Sequence, residues 1–235
     1  MKTKILALAG ILLAIGALLL VPRLKDWSTR RAAHERLQAQ VVYQVLRKHE
    51  PEVYDRVLEK FQGSDRGAES RAEFVNFANF ELSTVATKRL AHASDEAVNA
   101  LLRDMIDNAR VLAQRPGDHC FRFFFAQVAG PPDVARLIDA QAQARTLDRL
   151  AEVIRSSAES PVPLPDAQAV QDKLADVVNA TYEQYGIDAQ MVANVEDPRI
   201  DRVKVCTITL SLYERVMAWP PADSSALIRL MTQVP

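Results

Sequence analysis

Apolar residues follow two patterns along this chain. From Ile5 to Val21 the run ILALAGILLAIGALLLV holds no charged or polar side chain, whereas from Ser28 onward apolar positions recur at three and four residue steps, the period of an amphipathic helix. The first pattern predicts a hydrophobic rod that spans roughly 25 Å at about 1.5 Å per residue, within the range of a bilayer-crossing segment. Lys2 and Lys4 ahead of it also suit a cleaved signal peptide. Against cleavage, the run outlasts a usual signal core, no A-x-A site follows, and Pro22, Arg23 and Lys25 close it. Residues 5–21 are therefore expected to remain as a transmembrane anchor, with residues 1–4 as a short tail and residues 22–235 as a helical soluble body. Basic residues flank both ends, so charge does not orient the rod. The short leading tail points to a signal-anchor topology with the body exported.

The second pattern predicts a series of helices. Leu37, Val41, Val42, Val45 and Leu46 form one stripe; Val53, Tyr54, Val57, Leu58 and Phe61 form another, with a break near Glu50 and Pro51 in the first turn of the second helix. QGSDRG, from Gln62 to Gly67, reads as a loop, and Phe74, Phe77, Ala78, Leu82 and Val85 predict a helix from about Ala68 to Ala91. Ser94, followed by Asp95 and Glu96, is a capping oxygen ahead of acids at the positive end of a helix dipole. The helix it opens carries Val98, Leu101, Leu102, Met105, Ala109 and Leu112 and stops before Pro116 and Gly117. After Gly130-Pro131-Pro132, one long helix is expected to run through Val134, Leu137, Ile138, Leu147, Leu150, Val153 and Ile154. SPVPLP, from Ser160 to Pro165, is a stiff connector, because each proline removes a donor and bars its predecessor from the helical region. Val170, Leu174, Val177, Val178, Tyr182 and Tyr185 predict the next helix, closed by Gly186. After Pro220-Pro221, Asp223-Ser224-Ser225 reads as the start of a last helix with Leu227, Ile228 and Met231.

Two apolar segments fit either period. Asp118 to Val128, DHCFRFFFAQV, is too short and too aromatic for periodicity to choose between helix and strand. Val203 to Leu212 partly alternates, yet it also places Val203, Cys206, Leu210, Tyr213 and Met217 on one helical face. The helix is preferred there, since the pattern continues to Trp219 and no second strand offers a partner. The fold class is thus all-α, an N-terminal single transmembrane helix followed by a multi-helix globular domain.

Composition narrows the function classes. The formal net charge of −1 splits into +5 over residues 1–31 (Lys2, Lys4, Arg23, Lys25, Arg30 and Arg31 against Asp26) and, by subtraction, −6 over residues 32–235. An acidic body beside a basic membrane flank argues for tethering near anionic headgroups and against a nucleic-acid partner, which needs a basic stripe. Seven glycines and twelve prolines without a low-complexity tract exclude long flexible linkers, and the length suits one large domain or two small ones after the anchor.

Cys120 and Cys206 are the only cysteines. In an exported body they are a candidate disulfide between the two ambiguous segments; in a reducing compartment they are two buried thiols. His119 beside Cys120 could activate a thiol, although sequence neighbours need not face each other. His34, His49 and His92 are scattered, with no H-E-x-x-H spacing, and no cofactor or metal site is expected. Asp104 with Asp107, and Glu69 with Glu73, fall at helical spacings that could hold a cation but usually form a solvated face. Asn179-Ala180-Thr181 matches a glycosylation acceptor inside a predicted helix. Trp219 is a candidate interface anchor, with packing against the next helix as the favoured reading. Together these features predict a membrane-anchored helical protein on the periplasmic, exported side of an inner membrane, binding another protein of the envelope. Neutralisation of an incoming toxin is one alternative function, and an enzyme with a dispersed site is the other.

Overall fold

The computed structural model describes residues 30–64 and 67–232. The expected anchor at residues 5–21 lies outside them. Among the described residues there is no strand, and no helix is long and apolar enough to cross a membrane. The chain divides into two compact units, Met1–Glu81 and Leu82–Pro235, and the division falls inside a single helix.

The first unit is built from α1 (30–38), α2 (Val41–His49), α3 (Pro51–Gln62) and the first part of α4 (Ala68–Leu90). Leu37, Val42, Leu46, Val57 and Leu58 are buried at its centre. Between α1 and α2 the chain turns at residues 39–40, and side-chain amides satisfy the interrupted backbone: Gln38 donates to the Tyr43 carbonyl at 3.2 Å, and Gln44 to the Gln38 carbonyl at 2.7 Å. Pro51 occupies the first turn of α3, where a missing N–H costs nothing. Arg56 on α3 grips Glu81 on α4 through two hydrogen bonds of 3.0 and 2.7 Å, and so neutralises a carboxylate that is itself buried.

His34 links three helices of this unit. Its Nδ1 lies 2.7 Å from the Tyr54 hydroxyl and its Nε2 lies 3.2 Å from the Arg47 guanidinium. Arginine only donates, so Nε2 accepts and the ring carries its proton on Nδ1, which donates to Tyr54.

The second unit is organised around α5 (Asp95–Ala113), which packs against α9 (Ala140–Glu159), α11 (Arg202–Met217), α12 (Pro221–Met231) and the short α6 (His119–Phe124). Leu102, Ile106, Ala109 and Leu112 of α5 meet Cys206, Leu210 and Val216 of α11 and Leu227 of α12 in one apolar core. α7 (Ala126–Ala129) and α8 (Val134–Leu137) are single turns, and α10 (Ala167–Tyr185) leads into a 3-10 helix, Gly186–Asn194. Side-chain oxygens cap four of these helices. Ser94 accepts from the Ala97 N–H, Asp139 from Ala142, Asp166 from Gln168 and Asp201 from Lys204, at 2.9 to 3.2 Å. The proline connector is held in place by His92, whose carbonyl accepts from the Val162 N–H at 2.9 Å and whose Nδ1–H donates to the Val162 carbonyl at 3.0 Å.

Two sequence expectations change. The helix expected from Val134 to Ile154 is interrupted at Ile138, which is extended (φ −111°, ψ 136°) and buried, while Asp139 behind it caps a new helix. The last helix begins at Pro221, not at Asp223, so Ser224 and Ser225 lie inside it and are buried.

Candidate functional site

Both ambiguous segments are helical, and they meet. Cys120 on α6 and Cys206 on α11 are buried, their Cα atoms are 5.8 Å apart, and the side chains are joined as a disulfide. The sequence around each cysteine builds the seam. Arg202, in the first turn of α11, donates to Asp118 at 2.6 Å and lies 5.1 Å above the ring of Phe121, which is fully buried. Phe124 stacks on Tyr213 at 5.4 Å, and burial pushes the Tyr213 hydroxyl's pKa above its ordinary value. Arg122 closes the segment by donating to the Gly130 and Pro131 carbonyls at 3.1 and 2.7 Å. Gly130 has φ +71° and ψ 156°, a conformation that side-chain-bearing residues rarely adopt. With Cys120 bonded, His119 has no thiol beside it to activate.

The acid pairs diverge. Asp104 accepts from the Thr146 hydroxyl at 3.2 Å and approaches Arg145, both on α9, whereas Asp107 takes Arg110 at 2.7 Å. Arg110 also reaches Glu214 on α11 at 2.9 Å, so each carboxylate has a structural partner. Glu73 pairs with Lys60 at 3.1 Å in the first unit. No group of three or more His, Cys, Asp or Glu side chains among the described residues could hold a metal ion. A cavity of about 290 Å³ opens beside the Arg110 and Glu214 pair, with Arg103, Ile106, Met217 and Ala218 as its other walls. Trp219 is half-buried against the apolar core.

Sequence reasoning missed the polar seam between α5 and α12. Asn99 donates to the Asp95 and Pro221 carbonyls at 2.8 and 2.7 Å, and the Ser224 hydroxyl donates to Asn99 at 2.5 Å. Ser225 donates to the Asp95 carboxylate at 2.6 Å, and Arg229 donates to the same carboxylate at 2.7 Å and to the Ala93 carbonyl at 2.6 Å. Burial raises the Asp95 pKa, but bonds from Ser225 and Arg229 and the guanidinium charge outweigh it and hold the carboxyl below its ordinary range. The available signal was the four-residue step from Ser225 to Arg229, which sets both on one helical face.

One part of the second unit is left apolar at its surface. Ile187, in the 3-10 helix, is 77% exposed, and Val203, in the first turn of α11, is 61% exposed. The adjoining Asp188 and Lys204 form an ion pair at 3.0 Å across the two elements. Val203 thus leaves the face that Cys206 and Leu210 bury. The chain matches no protein-family model, and no curated protein or solved structure is detectably similar to it.

Proposed function

We propose that residues 5–21 hold this protein in an inner membrane and that its helical body stands on the exported side, where it works by binding another protein of the cell envelope. The observation that carries this reading is the Cys120 and Cys206 disulfide. A bond between two far-separated, buried cysteines is a stable structural element in an oxidising compartment, while glutathione and thioredoxin keep such pairs reduced in the cytosol. The uninterrupted apolar run ahead of the body supports the tether, and the acidic body suits an exposed, soluble position beside it.

The test is made on protein taken from its native envelope. Alkylation before non-reducing electrophoresis is expected to find no free thiol; two labelled cysteines would remove the case for export. Crosslinking of the same membranes before solubilisation is expected to give a discrete adduct with a resident envelope protein. An adduct that forms only when a toxin is supplied would replace that partner with an incoming one. The absence of any adduct would overturn the binding role.

A further inference from the structure

The connector between α9 and α10 is an exposed ridge whose burial repeats every third residue. Its sequence from Ser160 to Pro165, SPVPLP, places proline at 161, 163 and 165. A proline fixes its own φ at about −65° and bars its predecessor from the helical region, so Val162 and Leu164, each between two prolines, are confined to the extended, polyproline II range. A chain in that range makes one turn in three residues, rises about 3.1 Å per residue and forms no internal hydrogen bonds. Burial follows this turn. Val162 and Pro165 are half-buried, whereas Pro161 and Leu164 along a second edge, and Ser160, Pro163 and Asp166 along the third, are exposed. The inward edge is clamped at Val162, whose N–H donates to the His92 carbonyl at 2.9 Å and whose carbonyl lies 3.0 Å from His92 Nδ1. Helices hold both ends and His92 holds the middle, so the two outward edges are displayed in one conformation.

The chemistry of the ridge defines what fits it. No residue from 160 to 165 is charged, so ion pairs do not select the partner. What the ridge presents is proline rings, the half-exposed Leu164, and the carbonyls of Pro161, Pro163 and Leu164, which accept no hydrogen bond among the described residues. Strand addition to a sheet edge is excluded, because it needs N–H groups along the segment: the prolines have none, and the Val162 N–H is already taken by His92. A lipid surface does not fit either, since hydrocarbon satisfies no carbonyl and anionic headgroups seek cations. Aromatic side chains meet both needs at once, with flat apolar faces for the rings and, in Trp and Tyr, donors for the carbonyls. We infer that residues 160–165 are a preformed ligand for a partner protein that receives them in a groove walled by aromatic side chains. Because the segment is already ordered, docking sacrifices little conformational freedom.

This inference rests on the protein-binding reading, and one experiment separates the two. A photo-reactive phenylalanine analogue is placed at position 160, on an outward edge of the ridge, or at the exposed Ala144 on α9 as a control, in the full-length chain in its own membrane. The expected result is an adduct to another protein from position 160 that position 144 does not give. It should fall about tenfold or more in Pro161→Ala/Pro163→Ala and in Leu164→Ser, and mass spectrometry should map it to a part of the partner lined by Trp, Tyr or Phe. An adduct that the proline variant leaves unchanged would overturn recognition of the ridge, and one mapped to a site without aromatic residues would overturn the groove. If the thermal midpoint of the proline variant falls below that of the parent, Leu164→Ser decides in its place, because that position is half exposed and the fold does not depend on it. An adduct from position 144 alone would overturn the ridge and leave protein binding intact, and no adduct from either would overturn both. A chain-to-chain adduct at 160 would put a second copy in place of the aromatic groove and overturn the inference.

Discussion

Arg229 keeps only 4% of its side chain in contact with solvent, and the carboxylate that compensates it, Asp95, keeps 37%. This asymmetry decides the effect of substitution. Removing the buried cation also removes the reason for its desolvation, whereas removing Asp95 takes this carboxylate from a guanidinium that stays buried on the Ala93 carbonyl, so Asp95→Ala is the more damaging change. Breaking a buried pair in this way costs roughly 3 kcal/mol, the lower end of the usual range because Asp95 is partly solvated. Arg229→Met, which keeps the volume and discards the charge, should cost clearly less. Urea unfolding of the two variants checks the order. The pH dependence follows from the depressed carboxyl of Asp95. A carboxyl held below its unfolded value of 3.8 contributes stability that is complete above that value and is lost as pH falls through the folded one. The advantage of the parent over Asp95→Asn should therefore be constant from neutral pH down to about 4 and shrink below it.

At the scale of the element, helix ends are written locally and helix interruptions are not. Ser94 is legible because its side chain, two residues of chain and the Ala97 N–H complete the whole motif. Ser94→Ala is expected to cost about 1 kcal/mol, seen as a lower denaturation midpoint with unchanged helix content. The break at Ile138 is different. Its three and four residue spacing is intact, and the chain leaves the helix because burying Ile138 and capping with Asp139 together outweigh one more turn. Ser224 and Ser225 misled for the same reason: Asn99 and Asp95, more than a hundred residues away, decide their role. The helical period of residues 203–212 was legible from its length. Its exposed end was not, since periodicity assigns Val203 to a face without saying where the covering helix stops. The cysteine seam, by contrast, is legible as two cysteines in two apolar segments.

At the scale of the molecule, no proline, glycine or polar linker marks the division at Glu81 and Leu82, because it falls within the continuous helix α4. The two units are held by different means. The first relies on apolar packing with the His34, Tyr54 and Arg47 contacts and the Arg56 and Glu81 pair. The second also has a covalent tie, which closes a sequence separation of 86 residues between α6 and α11. A loop of that length is worth about 4.6 kcal/mol in the chain-entropy account, and the loss of the bond commonly costs about 2 to 5 kcal/mol. The effect should be confined to the unit that contains the bond. In Cys206→Ser, amide hydrogen exchange is expected to accelerate in α5, α6 and α11, whose mutual packing the bond secures, and to stay at the parent rate in α2 and α3. Reduction of the parent chain should reproduce the same pattern. Equal acceleration in both sets of helices would mean that the two units unfold as one, and unchanged exchange in α6 and α11 would mean that apolar packing alone holds the seam.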